Sequence, residues 1–237
     1  MRQVDILGMP KIFVTRMVPE SGIKMLKDKG FEVFVNPEDR VLTKEELINN
    51  LKGQNYDALF CLLTDKIDAE VMDSFGPQLK IVANMAMGFD NINIEEAKER
   101  GIMITNTPDV LTDTVAEHTF ALMLAIAHRI AEADKFTRAL KYQGWEPMLL
   151  LGNGLSGKTL GIVGLGRIGS RVAYHALKGF DMKVVYYDIK RNEDFEKEFS
   201  AVYMSLEDLL KQSDFISIHV PLLDSTRHLI NAENLKL

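Results

Sequence analysis

The most constraining feature of the sequence is a glycine motif, Gly164-x-Gly166-x-x-Gly169, which comes directly after a short apolar segment. Residues 159–163 have the apolar, β-branched composition of a buried parallel strand, and residues 170–178 continue with helical periodicity. A strand, a glycine turn and a helix in this order form the context of a dinucleotide-binding motif. We therefore predict that the first glycine permits the tight turn, the second admits a pyrophosphate, and the third lets the helix pack on the strand.

A second strand distinguishes this motif from an ordinary tight turn beside a solvated aspartate. Residues 182–187 are again apolar, and they end at Asp188, about 20 residues after the last glycine, where an acidic side chain binds the adenine ribose. A carboxylate in this place repels a 2′-phosphate, so the sequence favours NAD over NADP. Lys190 and Arg191 lie close by in the sequence and would weaken that repulsion.

Composition restricts the class of protein and of partner. The length of 237 residues suits one large or two ordinary domains, and the net charge of −6 disfavours nucleic acid as a partner. No apolar run reaches the ~18 residues of a membrane span, and no signal-peptide core is found at the N-terminus. The single cysteine, Cys61, excludes an internal disulfide. We predict a cytoplasmic protein with no membrane contact, and no metal site because no ligand cluster has suitable spacing.

The first hundred residues alternate between strand and helix patterns. Strands are predicted at residues 11–15, 31–35, 57–63, 79–84 and 102–105. The intervening helices are of the length found in βαβ units, which form a parallel sheet, and Thr43 and Glu46 are spaced as a capping box. We predict a flavodoxin-like domain over residues 1–106, ending where Asn106 and Thr107 precede Pro108.

Residues 107–237 are predicted to form a Rossmann domain, a doubly wound parallel sheet. Its strands are expected at residues 159–163, 182–187, 201–204 and 215–220. A charged segment, residues 190–198, is predicted to be a surface helix, and Asn231 is expected to cap a final helix. No strand comes after that helix, so we expect the domain to be incomplete at its C-terminus and less stable than a longer form with a paired sheet edge.

One helix of this second domain has an unusual pattern. It is predicted to extend over residues 113–140, and residues 120–127 are apolar on every side. A helix that is apolar all round is buried. We therefore expect this segment to lie between domains or subunits and to support a homodimer.

Four motifs together resemble the D-isomer-specific 2-hydroxyacid dehydrogenases, and among these the glyoxylate/hydroxypyruvate reductases. The motifs occupy residues 84–93, 105–118, 157–169 and 219–226. The resemblance covers essentially the whole chain. It implies an oxidoreductase that transfers a hydride between NAD(H) and a small 2-keto or 2-hydroxy acid.

The resemblance also implies roles for individual residues. Met87 and Gly88 match the loop whose N–H groups hold the substrate carboxylate, and Met87 also lies beside the nicotinamide. From the residues alone, an ordinary strand-to-helix turn is the more common explanation of this loop. Asp188 matches the ribose ligand. The other implied cofactor contacts are Arg167 and Ile168 at the pyrophosphate, Val220 and Pro221 beneath the cofactor, and Val115 facing the nicotinamide.

No catalytic residue is predicted in this chain. The family's chemistry uses a histidine as acid/base, a carboxylate that orients it, and an arginine, and the resemblance places all three after Leu237. Of the five histidines, His219 is the best placed, at the end of a strand, although the family does not use this position as its acid/base. Two alternatives remain: a non-catalytic NAD-binding protein used for sensing or assembly, and a sister phosphoglycerate, lactate or formate dehydrogenase.

Overall fold

A computed structural model describes residues 9–237, which form two compact units divided between Pro108 and Asp109. We refer to residues 9–108 as unit 1 and to Asp109–Leu237 as unit 2. Each unit contains one parallel β-sheet with helices packed against it. This confirms the predicted α/β fold class.

Unit 1 has a five-stranded sheet. Its strands are β1 (Lys11–Val14), β2 (Glu32–Val35), β3 (Ala58–Leu62), β4 (Ile81–Met85) and β5 (Met103–Thr105). Its helices are α1 (Glu20–Asp28), α2 (Lys44–Leu51), α3 (Ala69–Phe75) and α4 (Ile94–Glu99). The strands pair in the order β2-β1-β3-β4-β5, all parallel, which is the flavodoxin-like order.

The start of α2 shows how local chemistry sets an element boundary. The Thr43 hydroxyl accepts a hydrogen bond from the Glu46 N–H, and the Glu46 carboxylate accepts one from the Thr43 N–H at 2.8 Å. Two N–H groups that have no partner within the helix are thereby satisfied. The predicted capping box is confirmed.

Unit 2 has a four-stranded sheet in the order β8-β7-β6-β9, all parallel. The strands are β6 (Thr159–Val163), β7 (Lys183–Tyr187), β8 (Val202–Tyr203) and β9 (Phe215–Ile218). The helices are α5 (Thr112–Ala127), α6 (Ile130–Arg138), α7 (Arg167–Gly179), α8 (Glu193–Phe199) and α9 (Leu206–Gln212). This is the 3-2-1-4 part of a doubly wound sheet, with the strand that precedes the glycine motif at its centre.

The predicted helix over residues 113–140 is wrong in its length. It is divided into α5 and α6 at Arg129, whose φ of 54° is left-handed. A distant segment causes the break, because the Asn153 N–H donates to the Ala127 carbonyl oxygen at 2.8 Å and Arg129 binds the Leu151 carbonyl oxygen. Within the single chain, residues 120–127 are buried on one side only, with Ile126 75% exposed, and their burial between domains or subunits stays a prediction.

Two further helix boundaries differ from expectation. The helix after the glycine motif begins at Arg167 rather than at residue 170, because Gly166 is its N-cap. At the C-terminus, the Asn231 side chain accepts hydrogen bonds from the Glu233 and Asn234 N–H groups. The segment that it caps is a 3₁₀ turn, Asn234–Lys236, rather than an α-helix.

Candidate cofactor and substrate sites

The turn between β6 and α7 requires glycine at two of the three positions of the motif. Gly164 has a φ of 97°, and a Cβ there would lie 2.9 Å from the carbonyl carbon of His219. A Cβ on Gly169 would overlap the Gly164 carbonyl oxygen. Gly166 differs, because a Cβ there would meet no atom within 4 Å and would project into open space.

The N-terminus of α7 faces this open space with unsatisfied donors. The first backbone bond along the helix is donated by Ser170 to the Gly166 carbonyl oxygen at 2.9 Å. The N–H groups of Arg167 and Ile168 precede that bond and therefore have no partner within the helix. Together with the helix dipole, such groups favour an anion. The Arg167 side chain points elsewhere, since its guanidinium pairs with Asp109 at 2.9 Å.

Asp188 directly follows β7, beside the turn. Its Oδ2 accepts a hydrogen bond from the Leu165 N–H at 2.7 Å, and its Oδ1 accepts one from the Lys190 N–H at 3.2 Å. Each oxygen keeps acceptor capacity for a hydroxyl group, because a carboxylate offers about four lone-pair sites. The carboxylate is therefore held at a fixed distance from the start of α7.

A cavity of about 300 Å³ lies between this carboxylate and the loop after β9. It is lined by Gly164, Gly166, Tyr187, Asp188, Ile189, His219, Val220, Pro221, Leu223, Ser225, Thr226 and Leu229. Thr226 closes the loop, because its hydroxyl donates to the Pro221 carbonyl oxygen at 2.6 Å and accepts from the Leu223 N–H at 2.8 Å. Five of the sequence-predicted residues thus surround one space: Gly164, Gly166, Asp188, Val220 and Pro221.

The apolar residues Val220 and Pro221 were predicted to lie beside the cofactor, but Ile189 and Leu229, which also line this cavity, were not. Ile189 is 96% exposed, although it comes directly after the acidic residue and lines the cavity. Leu223 and Leu229 belong to a loop whose conformation has no periodic signal. An isoleucine next to a predicted ribose ligand was the one usable indication, since large apolar side chains at such a place suit a flat aromatic base.

Besides Arg167 and Gly169, described above, two predicted residues of unit 2 do not line this cavity. Ile168 is partly buried and packs into the core of the unit. Val115 lines a second depression, between α5 and β9, together with Ser217 and His219. The Ser217 hydroxyl is 2.8 Å from Nε2 of His219, and burial lowers the pKa of His219.

In unit 1, the loop after β4 holds three successive carbonyl groups inward. The Ala86 oxygen accepts from the Thr107 N–H at 2.9 Å, and the Met87 oxygen accepts from Nδ2 of Asn106 at 2.8 Å. The Gly88 oxygen accepts from Nδ2 of Asn84 at 2.9 Å.

This arrangement turns the N–H groups of the loop the other way. In a trans peptide, the carbonyl oxygen of one residue and the N–H of the next point in opposite directions, and the chain has no cis peptide bond among its described residues. The N–H groups of Met87, Gly88 and Phe89 therefore point away from the amides that hold the carbonyls. Over residues 9–237, none of the three donates a hydrogen bond. Three successive N–H groups in this part of the chain are therefore left without an acceptor and could donate to an anion.

The amides that hold the loop were not predicted as functional residues. Asn84 is only 2% exposed, and besides Gly88 it donates to Oδ1 of Asn91 at 3.0 Å. Asn91 in turn donates to the carbonyl oxygens of Leu62 and Asp65. A buried asparagine with every polar atom engaged rigidifies its surroundings. Its position at the end of a predicted strand was the available signal.

Neither a metal centre nor a membrane span is indicated by the described residues. Within this part of the chain, no three His, Cys, Asp or Glu side chains are grouped as a metal ion would require. Among the helices of residues 9–237, none has both the length and the apolar character needed to cross a bilayer.

Comparison with known sequences places these features in a family. The family model for the D-isomer specific 2-hydroxyacid dehydrogenase NAD binding domain matches residues 120–237. A glyoxylate reductase of Thermococcus litoralis is 50% identical over 232 residues, which cover 96% of this chain and 69% of that protein.

Solved structures agree in fold. D-lactate dehydrogenase from Aquifex aeolicus, in complex with NAD and lactic acid, is 34% identical with a TM-score of 0.79 and matches 95% of this chain and 65% of its own. An acyclic imino acid reductase, Bsp5, in complex with NADPH and D-Arg, is 28% identical with a TM-score of 0.78, matching 95% of this chain and 70% of its own. Similar proteins thus include complexes with each of the two nicotinamide cofactors.

Proposed function

Since the chain belongs to the D-isomer specific 2-hydroxyacid dehydrogenases, whose members are NAD-linked hydroxyacid reductases, we propose that it acts on glyoxylate or hydroxypyruvate with NADH. The observation that carries the substrate class is the loop of unit 1, whose three outward N–H groups suit a carboxylate. The 50% identity to a glyoxylate reductase supports a small 2-keto acid.

The residues of unit 2 fit a dinucleotide. The N–H groups of Arg167 and Ile168 at the start of α7 would bind the pyrophosphate, which can approach closely because Gly166 places no side chain in the open space there. Asp188 would accept hydrogen bonds from the adenine ribose. Val220 and Pro221 would support the adenine from below.

We assign NADH rather than NADPH as the preferred cofactor. Asp188 carries a negative charge where a 2′-phosphate would lie, and two like charges at close range repel. When bound, the reduced nicotinamide supplies the hydride that converts the C2 carbonyl of the substrate into an alcohol. We propose that Val115 faces that ring.

The chain's own part in the reaction begins with the substrate carboxylate. The N–H groups of Met87 and Gly88 would hold it by charge-assisted hydrogen bonds, and Asn84 and Asn106 would keep those groups aimed. Holding the carboxylate orients the adjacent C2 carbonyl, which converts substrate binding into positioning. No residue within 9–237 is assigned as the proton donor. His219, the best placed histidine, already shares a hydrogen bond with the Ser217 hydroxyl, and no carboxylate raises its pKa, which burial lowers.

A direct assay tests the proposal. Binding of NADH is measured by its fluorescence, and loss of NADH absorbance is recorded with glyoxylate, hydroxypyruvate, pyruvate and phosphohydroxypyruvate, with NADPH in parallel. We expect NADH to bind more tightly than NADPH. Because no proton donor is assigned within residues 9–237, slow or absent turnover is compatible with the proposal, and any turnover should be fastest with glyoxylate or hydroxypyruvate. A chain that binds neither cofactor would contradict the proposal, and a preference for phosphohydroxypyruvate or pyruvate would indicate a sister dehydrogenase.

A matched pair of variants tests the carboxylate site. Asn106→Ala removes the donor to the Met87 carbonyl, and we expect about tenfold weaker binding of oxamate, a stable 2-keto acid analogue, to the NADH complex. Asn93→Ala is the control, since Asn93 belongs to the same loop but only caps α4 through the Glu96 N–H. Equal loss in both variants would indicate a general loosening of the loop.

We also propose a cytoplasmic homodimer. Large apolar side chains on and after α5 and α6 are exposed in the single chain, which is how an uncovered subunit interface looks. They include Ile126 at 75%, Leu140 at 85%, Trp145 at 81% and Met148 at 77% exposure. Light scattering should give twice the mass of the chain, and Trp145→Glu should give the monomer. The single cysteine, Cys61, is buried and reduced, as suits the cytoplasm.

A further inference from the structure

The segment after Asp188 is held at both ends by tyrosine hydroxyls. The Tyr203 hydroxyl donates to the Asp188 carbonyl oxygen at 3.3 Å. The Tyr186 hydroxyl accepts a hydrogen bond from the Asn192 N–H at 2.8 Å, and Tyr186 itself is fully buried. Residues 188–192 are therefore fixed relative to the sheet, although Lys190 and Arg191 are exposed.

The guanidinium of Arg191 is engaged within this segment. Its Nε lies 2.9 Å from Oε1 of Glu196, and its Nη2 lies 2.7 Å from Oε2, which is a bidentate pair. The Tyr186 hydroxyl donates to Oε1 of the same carboxylate at 2.7 Å. Arg191 and Tyr186 together hold the pKa of Glu196 down to about 2, so the carboxylate stays charged at neutral pH.

The pair lies beside the place that a 2′-phosphate would occupy. An open cavity of about 610 Å³ adjoins Asp188 and is also lined by Gly166, Lys190, Arg191, Glu193 and Asp194. A ribose bound to Asp188 would present its 2′ position to this space. Three carboxylates face it, and Lys190 makes no ion pair with any of the described residues.

We propose that Glu196, anchored by Tyr186, withdraws Arg191 from the 2′ position and so makes this chain discriminate against NADPH. An arginine near the ribose is the group that accommodates a 2′-phosphate, and its fork geometry matches phosphate oxygens. In this structure the guanidinium of Arg191 is already engaged by the Glu196 carboxylate through two hydrogen bonds. Binding NADPH would require that bidentate pair to be broken, whereas binding NADH leaves it intact. The inference rests on the proposed function, because it presumes that the ribose lies on Asp188.

The test is Glu196→Gln, which keeps the shape of the side chain and an acceptor for Tyr186 but removes the charge that holds Arg191. Dissociation constants for NADH and NADPH are measured by fluorescence titration of the full chain. We expect NADPH to bind about tenfold more tightly than to the parent chain, with less than a twofold change for NADH. The gain should disappear in the double variant Glu196→Gln/Arg191→Ala.

Glu193→Gln is the matched control. It removes one negative charge from the lining of this cavity and from the helix that also carries Glu196, but Glu193 does not bind Arg191. If Glu193→Gln improves NADPH binding as much as Glu196→Gln does, the effect is one of net charge and the inference is overturned. It is also overturned if the gain survives removal of Arg191.

The two proposals fail in different ways. If the parent chain binds neither nucleotide, the proposed function fails. If it binds NADH and Glu196→Gln leaves the ratio of the two dissociation constants unchanged, the cofactor site stands and the role of Glu196 is wrong. Circular dichroism of each variant, with NADH affinity as the internal standard, separates misfolding from altered specificity.

Discussion

Helix α7 allows a quantitative test of why the glycine motif is built as it is, through Gly169→Ala. A Cβ on Gly169 would overlap the Gly164 carbonyl oxygen, lie 3.1 Å from the carbon of that carbonyl, and lie 3.3 Å from Cγ2 of Ile162. Two of the three atoms are backbone and cannot rotate away. Overpacking costs about 1–3 kcal/mol, and this site belongs at the upper end of that range. Alanine regains ~1 kcal/mol of helix propensity, so we expect a net loss of about 2 kcal/mol in the free energy of unfolding.

Two glycines of the same neighbourhood provide the controls. Gly179 ends α7, where an added Cβ would meet no atom within 4 Å, so Gly179→Ala should change stability by no more than ~1 kcal/mol, and upward. Gly166→Ala adds a Cβ in equally open space at an extended backbone with a φ of −73°. It should cost at most about 1 kcal/mol as a poorer N-cap, while weakening NADH binding at least tenfold because its methyl group occupies the approach to the pyrophosphate.

The assay is a urea melt by circular dichroism beside a fluorescence titration with NADH. With an m-value of ~2 kcal/mol/M, Gly169→Ala should unfold about 1 M below the parent chain, and Gly179→Ala at or slightly above it. Gly166→Ala should unfold at nearly the same urea concentration as the parent chain but bind NADH more weakly. If Gly169→Ala and Gly179→Ala unfold at the same urea concentration, the close packing of α7 on the turn does not limit stability and the reasoning is refuted.

Two pH dependences are expected from the same structure. Burial holds the pKa of His219 below its ordinary 6.5, so the contribution of the neutral imidazole to the free energy of unfolding is complete above pH 6.5 and is lost as the pH falls toward the folded-state pKa. The urea midpoints measured at pH 7.5 and at pH 5.5 should therefore differ less in His219→Gln than in the parent chain. An equal difference in both proteins would exclude His219 as the cause. Arg40 and the Thr43 N–H lower the pKa of Glu46 from 4.5 to about 2. The contribution of the Glu46 carboxylate to the free energy of unfolding is therefore present above pH 4.5 and is lost between pH 4.5 and pH 2. Acid titration of Glu46→Gln should show a shallower loss across that window, and an unchanged slope would count against it.

The fold could be predicted because its determinants are local. Each strand is a short apolar segment, and each helix between strands is of βαβ length, so the parallel sheets result from handedness and connection rules. The roles of Gly164 and Gly169 also result from spacing, since a strand, a turn and a helix leave little freedom for where a side chain would collide. Asp188 could be located in the same way, at the end of the next strand.

The remaining features depend on contacts between distant segments. At the break between α5 and α6, the Asn153 N–H donates to the Ala127 carbonyl oxygen. No pattern within residues 113–140 predicts this contact. Arg167 was expected to contact the pyrophosphate, which stays a prediction, and the ion pair that its exposed side chain makes with Asp109 could not be read from the sequence. The spacing of residues along the sequence does not predict which carboxylate a surface arginine will pair with. The ion pair between Arg191 and Glu196 is a second example.

The two candidate anion sites share a construction that explains how a chain of net charge −6 could bind anionic ligands. In unit 2 the donors are the first N–H groups of α7, and in unit 1 they are the N–H groups of Met87, Gly88 and Phe89. In both places the nearby arginine or asparagine side chains are engaged with the protein itself: Arg167 binds Asp109, while Asn84 and Asn106 bind the loop carbonyls. Backbone dipoles fixed in this way carry no net charge, so they hold a phosphate or carboxylate without a surplus of cations. Their geometry therefore depends on the side chains that hold the backbone, and substitutions at Asn84 or Asn106 should impair binding even though neither side chain need touch the ligand.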